Sequence, residues 1–264
     1  MGFKIGTYNI YGLKGYPASE SVKEIDVPGT EANTEYFTQV FSSLSCDVLG
    51  LQEGGPVNVF QEIAKRLKYN LATFPSPMAW PGHILSKISV SESRTFSHYN
   101  PDCELPLFSR TAGAVLLTDV KDRKLWVVDV HLHPSDVELR SREGTFLNSI
   151  LEELKKSVSD IVVLGDFNSQ IDEDVHGYLD SAGFVNAMVR AGGGIQATMD
   201  TSGIERHYID HLYFSSDMAE RLISAEVVRL PGFRLEGPQL EDVWVHSDHL
   251  PVVAELDWDF GKNK

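Results

Sequence analysis

Short apolar stretches of strand character alternate with amphipathic helical stretches along the whole chain, with no internal repeat and no linker-like tract between them. This alternation predicts sheets covered by helices in one domain over residues 1–264, an α/β (α+β) arrangement. Phe3–Ile10 reads as the first strand, and Tyr36, Phe37, Val40, Phe41 and Leu44 follow at helical spacing. Asp47–Gln52 is a buried strand, and Pro56 is placed to start a helix carrying Phe60, Ile63, Ala64 and Leu67. Next come a strand over His83–Val90 and a hairpin of Ala114–Val120 with Leu125–Leu132, turned by Lys121–Lys124. A long helix spans Val137–Ser157, a short strand Ile161–Leu164, and a helix Val175–Ala182 stops at Gly183. The last strands fall near His207–Phe214, Ala225–Leu230 and Leu250–Trp258. Lys14–Asn33, Phe74–Gly82 and Pro231–His246 fit no element, and loops of that length are often functional. With Phe108 beside them they carry Tyr16, Trp80, Phe233 and Trp244 as candidate rim aromatics. Such rings either stack on a base, lipid or sugar or simply pack the loops down.

The polar residues sit where these strands end. Asn9 closes the first strand, Glu53 the next, His131 and His133 a third, and Asp166 and Asn168 a fourth. Asp210 and His211 lie in HYIDHLYF, and Asp248 and His249 precede the last strand. In open α/β sheets ligands gather outside strand ends, so these side chains are expected to converge on one cleft. Singly each has an ordinary explanation: a turn at Asn9, a solvated strand end at Glu53, a hydrogen-bonded histidine at His131, a cap at Asp166 and Asn168. Asp210 is harder to dismiss, because a carboxylate inside an apolar strand needs a partner. His133, His207, His211 and His246 read as structural or rim residues.

Charge and cysteine usage narrow the partners. The chain carries 23 Lys+Arg against 38 Asp+Glu, a formal net charge of −15, which opposes tight nonspecific binding to polyanions. A divalent cation and a local basic patch can still reverse the field at one place. Cys46 and Cys103 lie far apart with no CxxC pair, which argues against a disulfide scaffold or cysteine-bound zinc and fits a reducing cytoplasm. MGFKIGTYNIYG lacks the profile of a secretory signal, and no apolar run approaches the roughly 20 residues of a membrane span.

Taken in order, Asn9, Gln52-Glu53, Gly82…Leu85-Ser86-Lys87, His131-Leu132, Gly165-Asp166-Phe167-Asn168, Ile209-Asp210 and Ser247-Asp248-His249 resemble the endonuclease/exonuclease/phosphatase superfamily. That superfamily includes deoxyribonuclease I, apurinic endonucleases, neutral sphingomyelinases, inositol polyphosphate 5-phosphatases, deadenylases and tyrosyl-DNA phosphodiesterase 2. The resemblance runs from Phe3 to Trp258 and implies a four-layer αββα sandwich of two mixed sheets with helices outside. It implies Glu53 as principal metal carboxylate, with Asn9 beside it and Asp248 as a second ligand. By the same resemblance Asp166 and Asn168 position and activate the attacking water. It also gives His249, held by Asp210, a contact to the scissile phosphate, with His131 and Arg110 as further phosphate contacts.

The residue types suit that chemistry. Hydrolysis drives water into an anionic phosphorus centre, so charge developing on the phosphoryl oxygens must be neutralised. Mg2+ or Mn2+, held by one or two carboxylates and retaining waters, fits Glu53 with Asn9 or Asp248 better than a zinc site would. Asp166 can take or orient the water proton, Asn168 can donate an amide hydrogen to phosphate, and Asp210 would stabilise a charged His249. A His249 so held can serve as acid, base or electrostatic clamp. The VDVHLHP block looks more like the phosphatase, sphingomyelinase and deoxyribonuclease branches than the apurinic endonucleases. The expectation is a monomeric, cation-dependent phosphodiesterase acting on a phosphoester (small molecule, lipid headgroup or nucleic-acid end). A nuclease or DNA-end-processing phosphodiesterase is the alternative. A noncatalytic phosphate-binding module is disfavoured because every expected catalytic position is filled.

Overall fold

A computed structural model of the chain describes residues 2–16, 24–97, 107–199, 206–229 and 244–261. Strands β1 (Phe3–Asn9), β2 (Val48–Gln52), β3 (Asn70–Phe74), β4 (Gly82–Ser86), β11 (Leu222–Val227) and β12 (Val252–Leu256) form one sheet, ordered β11-β12-β1-β2-β4-β3. Strands β5 (Ser89–Thr95), β6 (Thr111–Thr118), β7 (Lys124–His131), β8 (Ile161–Asp166), β9 (Phe184–Asn186) and β10 (Asp210–Ser215) form the second, ordered β5-β6-β7-β8-β10-β9. Helices α1 (Glu31–Leu44), α2 (Val57–Leu67), α3 (Val137–Lys155), α4 (Asp174–Ser181), α5 (Ala187–Ala191) and α6 (Ser216–Ala219), with short 3-10 turns at Tyr11–Leu13 and Glu24–Asp26, complete the described elements.

Period-2 patterning explains why the two sheets stack. Along β7, Leu125 and Val127 join the core shared with the first sheet, whereas Trp126, Val128 and Val130 join Leu147, Leu151 and Leu154 of α3. β8 repeats this, with Val162 and Leu164 facing inward and Ile161 and Val163 facing α3. The result is the mixed α/β sandwich expected from the sequence. Each sheet contains one parallel pair, β1 with β2 and β7 with β8, and each pair is bridged by a helical crossover, α1 and α3 respectively. Thr30 and Asp136 cap those two helices by accepting the backbone N–H of Asn33 and Leu139.

Three expectations need correction. The strand expected over His83–Val90 is two strands in different sheets, β4 and β5, because the chain crosses over at Lys87-Ile88. The continuation, SVSESRT, is a largely exposed edge strand without an apolar face, so its pattern carried no strand signal. β3, β9, α5 and α6 match no expectation from the sequence; β9, α5 and α6 are short, and Asn186 caps α5 while ending β9. Phe108 is no rim residue: it is fully buried in the core beneath α3. Cys103 and Phe233, and most of the loop Pro231–His246, lie outside the described residues.

Buried histidines outside the site carry an acid sensitivity. His83 stacks on Phe60 with centroids 3.8 Å apart, and its Nδ1 lies 2.9 Å from Thr73 Oγ1. Burial lowers its pKa to about 4. The unfolded chain therefore binds more protons between pH 4 and roughly 6.5, so stability falls as pH drops through that window. One such group contributes a slope of about 1.4 kcal/mol per pH unit. His83→Gln should flatten the fall in urea-unfolding free energy between pH 6.5 and 4. An undiminished slope would remove His83 from this account.

Candidate active site

The carboxyl ends of the two parallel strand pairs face one another, and the polar residues collect there. β1 delivers Asn9 and β2 delivers Glu53 just beyond Gln52, while His131 and Asp166 end β7 and β8 as register partners. Asp210 begins β10 opposite Asp166 in the antiparallel ladder. Asp248 and His249 arrive on the segment leading into β12, where Ser247 Oγ donates to Asn9 O over 2.7 Å.

Local backbone shape aims these groups. Glu53 and Asn168 have φ values of +52° and +49°, in the left-handed region that side chains other than glycine enter at a cost. Gly165, at φ +146°, lets β8 pass so close to β7 that a Cβ there would lie 1.9 Å from Val130 O. Gly54 is needed for a different reason, since a Cβ would meet the His83 ring at 2.2 Å.

Asp166 is the hub. Its Oδ2 accepts from Asn9 Nδ2 at 2.9 Å, and its Oδ1 accepts from Asn168 N at 2.9 Å. The Nε2 atoms of His131 and His249 lie 3.6 and 3.9 Å from the same Oδ2, and His131 Nε2 lies 4.0 Å from Glu53 Oε1. His249 Nδ1 is 2.8 Å from Asp210 Oδ2, while Asp210 Oδ1 finds no hydrogen-bond partner among the described residues. Asn168 Nδ2 donates to Leu132 O at 3.0 Å. Arg110 is half-buried and close enough to act electrostatically on Glu53 and His131.

Burial and charge divide the titratable groups into distinct states. Burial raises the Asp166 pKa to about 7, reinforced by Asp210 and opposed by His249. Burial works against a charged His249, but Asp210, Asp166 and Asp248 together hold its pKa well above the usual histidine value. His131 is pushed down to about 3 by burial, then by Arg110 and His249, so it is a neutral ring. Burial also raises Glu53, against the pull of His249, Asn9 and Arg110.

The donors present fit a hard divalent cation. Four carboxylates, Glu53, Asp166, Asp210 and Asp248, meet one charged imidazole and the Arg110 guanidinium, leaving negative charge in surplus in a largely buried space. Asp166, Asp210 and His249 form a compact buried group that could hold a metal, with one donor atom from each lying within 4.8 Å of the others. The 2.8 Å Asp210–His249 contact already accounts for that compactness, because it pairs a charged ring with a carboxylate. Glu53 has no comparably close cation and keeps 18% side-chain exposure, which leaves it facing the mouth.

Several supporting residues were not singled out by sequence. Gln52 Nε2 donates to Asp129 Oδ1 at 2.6 Å, tying the strand before Glu53 to the strand before His131 across the two sheets. Asp129 sits in an apolar strand as Asp210 does, and the reasoning that flagged Asp210 applies equally to it. Thr198 Oγ1 accepts from the N–H groups of Ile209 and Asp210 and has no distinctive sequence signal. The half-buried His133 accepts the N–H groups of Ser135 and Asp136 through Nδ1, while His211 and His246 are buried; burial lowers the pKa of both. Of the rim aromatics, Tyr16 pairs with Val245, Trp244 packs on Tyr36, and Trp80 lies under the Lys14 ammonium.

A sandwich of two mixed sheets with acids, amides and imidazoles gathered at facing strand ends suits phosphoester hydrolysis, and the family that the chain matches consists of hydrolytic phosphoesterases. The chain belongs to the Endonuclease/Exonuclease/phosphatase family, which it matches over residues 6–249. Enzymes of this family are generally divalent-metal dependent. The fold is similar to that of an endonuclease/exonuclease/phosphatase family protein from Bacteroides thetaiotaomicron, at 14% identity and TM-score 0.72, covering 97% of this chain and 98% of that one. Truncated TDP2 from Caenorhabditis elegans is similar at 17% identity and TM-score 0.67, covering 97% of each chain. The 3′ phosphatase NExo from Neisseria, bound to a product DNA hairpin, is similar at 18% identity and TM-score 0.68, covering 97% of this chain and 100% of that one. Comparison with curated proteins finds no match. Among the described residues no helix is long and apolar enough to cross a membrane.

Proposed function

We propose that this chain, acting as one domain, is a phosphodiesterase that uses Mg2+ or Mn2+ and an Asp166-activated water. The observation that carries the reading is the approach of His131 Nε2 and His249 Nε2 to one oxygen of Asp166, at 3.6 and 3.9 Å, beside Glu53. A phosphate in that space would meet a charged imidazole, a neutral imidazole and a carboxylate at once. Glu53 would hold the cation, with Asp248 and Asn9 beside it. When bound, the cation neutralises charge on the phosphoryl oxygens and lowers the pKa of nearby water.

This chain's own residues do the rest. Asp166 accepts the water proton, a task for which its raised pKa suits it near neutrality. Asn9 and the Asn168 backbone N–H fix the carboxylate, each from 2.9 Å. Charged His249, oriented through Nδ1 by Asp210, presents Nε2 to the developing phosphoryl charge, and His131 and Arg110 add further donors. The alternative, a nuclease or DNA-end-processing phosphodiesterase, draws support from the aromatic residues Tyr16 and Trp80 and from the DNA-bound relative. The net charge of −15 weighs against extended duplex binding.

A panel under Mg2+ or Mn2+ separates these readings. Bis-p-nitrophenyl phosphate, p-nitrophenyl phosphate, single- and double-stranded DNA, RNA, a 5′-phosphotyrosyl oligonucleotide, sphingomyelin and inositol phosphates are compared by kcat/KM. Diesters should exceed monoesters. A clear preference for monoesters would overturn the phosphodiesterase assignment, and a preference for DNA ends would favour the alternative.

A further inference from the structure

The buried face of α3 is apolar at Leu147, Leu151 and Leu154, but its first turns bury two charged residues instead, Arg140 and Glu143. Three residues apart, they share one helix face. Glu143 is completely buried, which is unfavourable for a carboxylate unless its lone pairs are used. Both oxygens are used: Oε1 accepts from Ser109 N at 2.6 Å and Oε2 from His133 N at 2.9 Å. Arg140 then takes the other side of the same residue, donating from Nη1 to His133 O at 3.0 Å. Its Nε and Nη2 grip Glu173 Oε2 and Oε1 at 2.8 Å each, and Glu173 Oε1 also accepts from Gln170 N at 3.1 Å.

Each backbone group so held lies within two residues of a candidate catalytic side chain. Ser109 precedes Arg110, His133 lies two residues past His131, and Gln170 lies two past Asn168. Three loops from distant parts of the chain are thus hydrogen-bonded, directly or through Arg140, to one rigid helix. Apolar contacts would bury the helix equally well but would not fix backbone N–H groups in direction.

We infer that Glu143, backed by Arg140 and Glu173, is a positioning residue that sets Arg110 against the scissile phosphate. The inference rests on the phosphoesterase reading for its ligand. Glu143→Gln keeps the size of the side chain but turns an acceptor towards an N–H into an amide NH2, so one of the two loops is released. It should lower kcat/KM for bis-p-nitrophenyl phosphate by about 10–100-fold, the scale seen when groups that orient active-site ligands are lost. The loss should fall more on KM than on kcat, because a displaced Arg110 weakens phosphate binding.

The decisive readout is the cycle of wild type, Glu143→Gln, Arg110→Ala and the double variant. If Glu143 acts through Arg110, most of its effect disappears in the Arg110→Ala background. A merely structural role would give the same fold-loss in both backgrounds and would overturn the inference, as would wild-type kinetics for Glu143→Gln. Affinity for inorganic phosphate is measured on the same four proteins. Should the wild type hydrolyse no ester, the function reading fails alone, and non-additive phosphate binding still supports the positioning role of Glu143. Additive losses, or no phosphate binding by the wild type, would overturn it.

Discussion

Asp166→Asn should lower kcat for phosphodiester hydrolysis by about two to four orders of magnitude, the scale of a lost general base or electrostatic group. The substitution keeps the size of the side chain but removes both its charge and one acceptor. Asn9 Nδ2 and Asn168 N both donate to Asp166, so an amide cannot satisfy the two donors as the carboxylate does. It also withdraws one of the charges that keep His249 protonated, which weakens the phosphate contact as well. His249→Ala should give a loss of similar size while leaving Asp210 buried without its partner, so it should also lower stability. Stopped-time assays on purified, folded variants decide this. Turnover near wild type in either would remove that residue from the mechanism.

Glu53→Ala should weaken activation by the cation above all. Glu53 is the carboxylate at the mouth, and burial, together with the Asp248 charge, pushes its pKa up, so it holds its negative charge best beside a cation. Without it, half-maximal activity should need at least about ten-fold more Mg2+, the lower end of the loss expected on disturbing a metal site. A Mg2+ titration of initial rate in both proteins reads this shift. An unchanged half-saturation would move the cation away from Glu53, and the Asp166–Asp210–His249 group would then be the place to look.

The layered fold and the cluster were largely legible in sequence because both depend on local rules. Near-continuous apolar runs in β7 and β8 announce strands buried on both faces, and acids or imidazoles at successive strand ends announce a shared cleft. What was hidden depends on pairings between distant segments. SVSESRT carries no apolar alternation because, as an edge strand, it has little to bury, so the crossover at Lys87-Ile88 could not be read. Phe108 looked like a loop aromatic, yet the core under α3 receives it. Nothing in the sequence sets Arg140 and Glu143 apart from the other charges of α3, and only the approach of Ser109 and His133 reveals why they are inside. Asn9 also acquires a contact that its place in the chain could not show, a hydrogen bond to a carboxylate 157 residues away.

The most direct measurement is the initial rate of bis-p-nitrophenyl phosphate hydrolysis by chelator-treated protein as Mg2+ or Mn2+ is returned. The account predicts no turnover without the cation, a saturable rise as it is added, and a rise lost in Asp166→Asn. Hydrolysis indifferent to the chelator, or an inert protein at every cation concentration and with every ester of the panel, would contradict it.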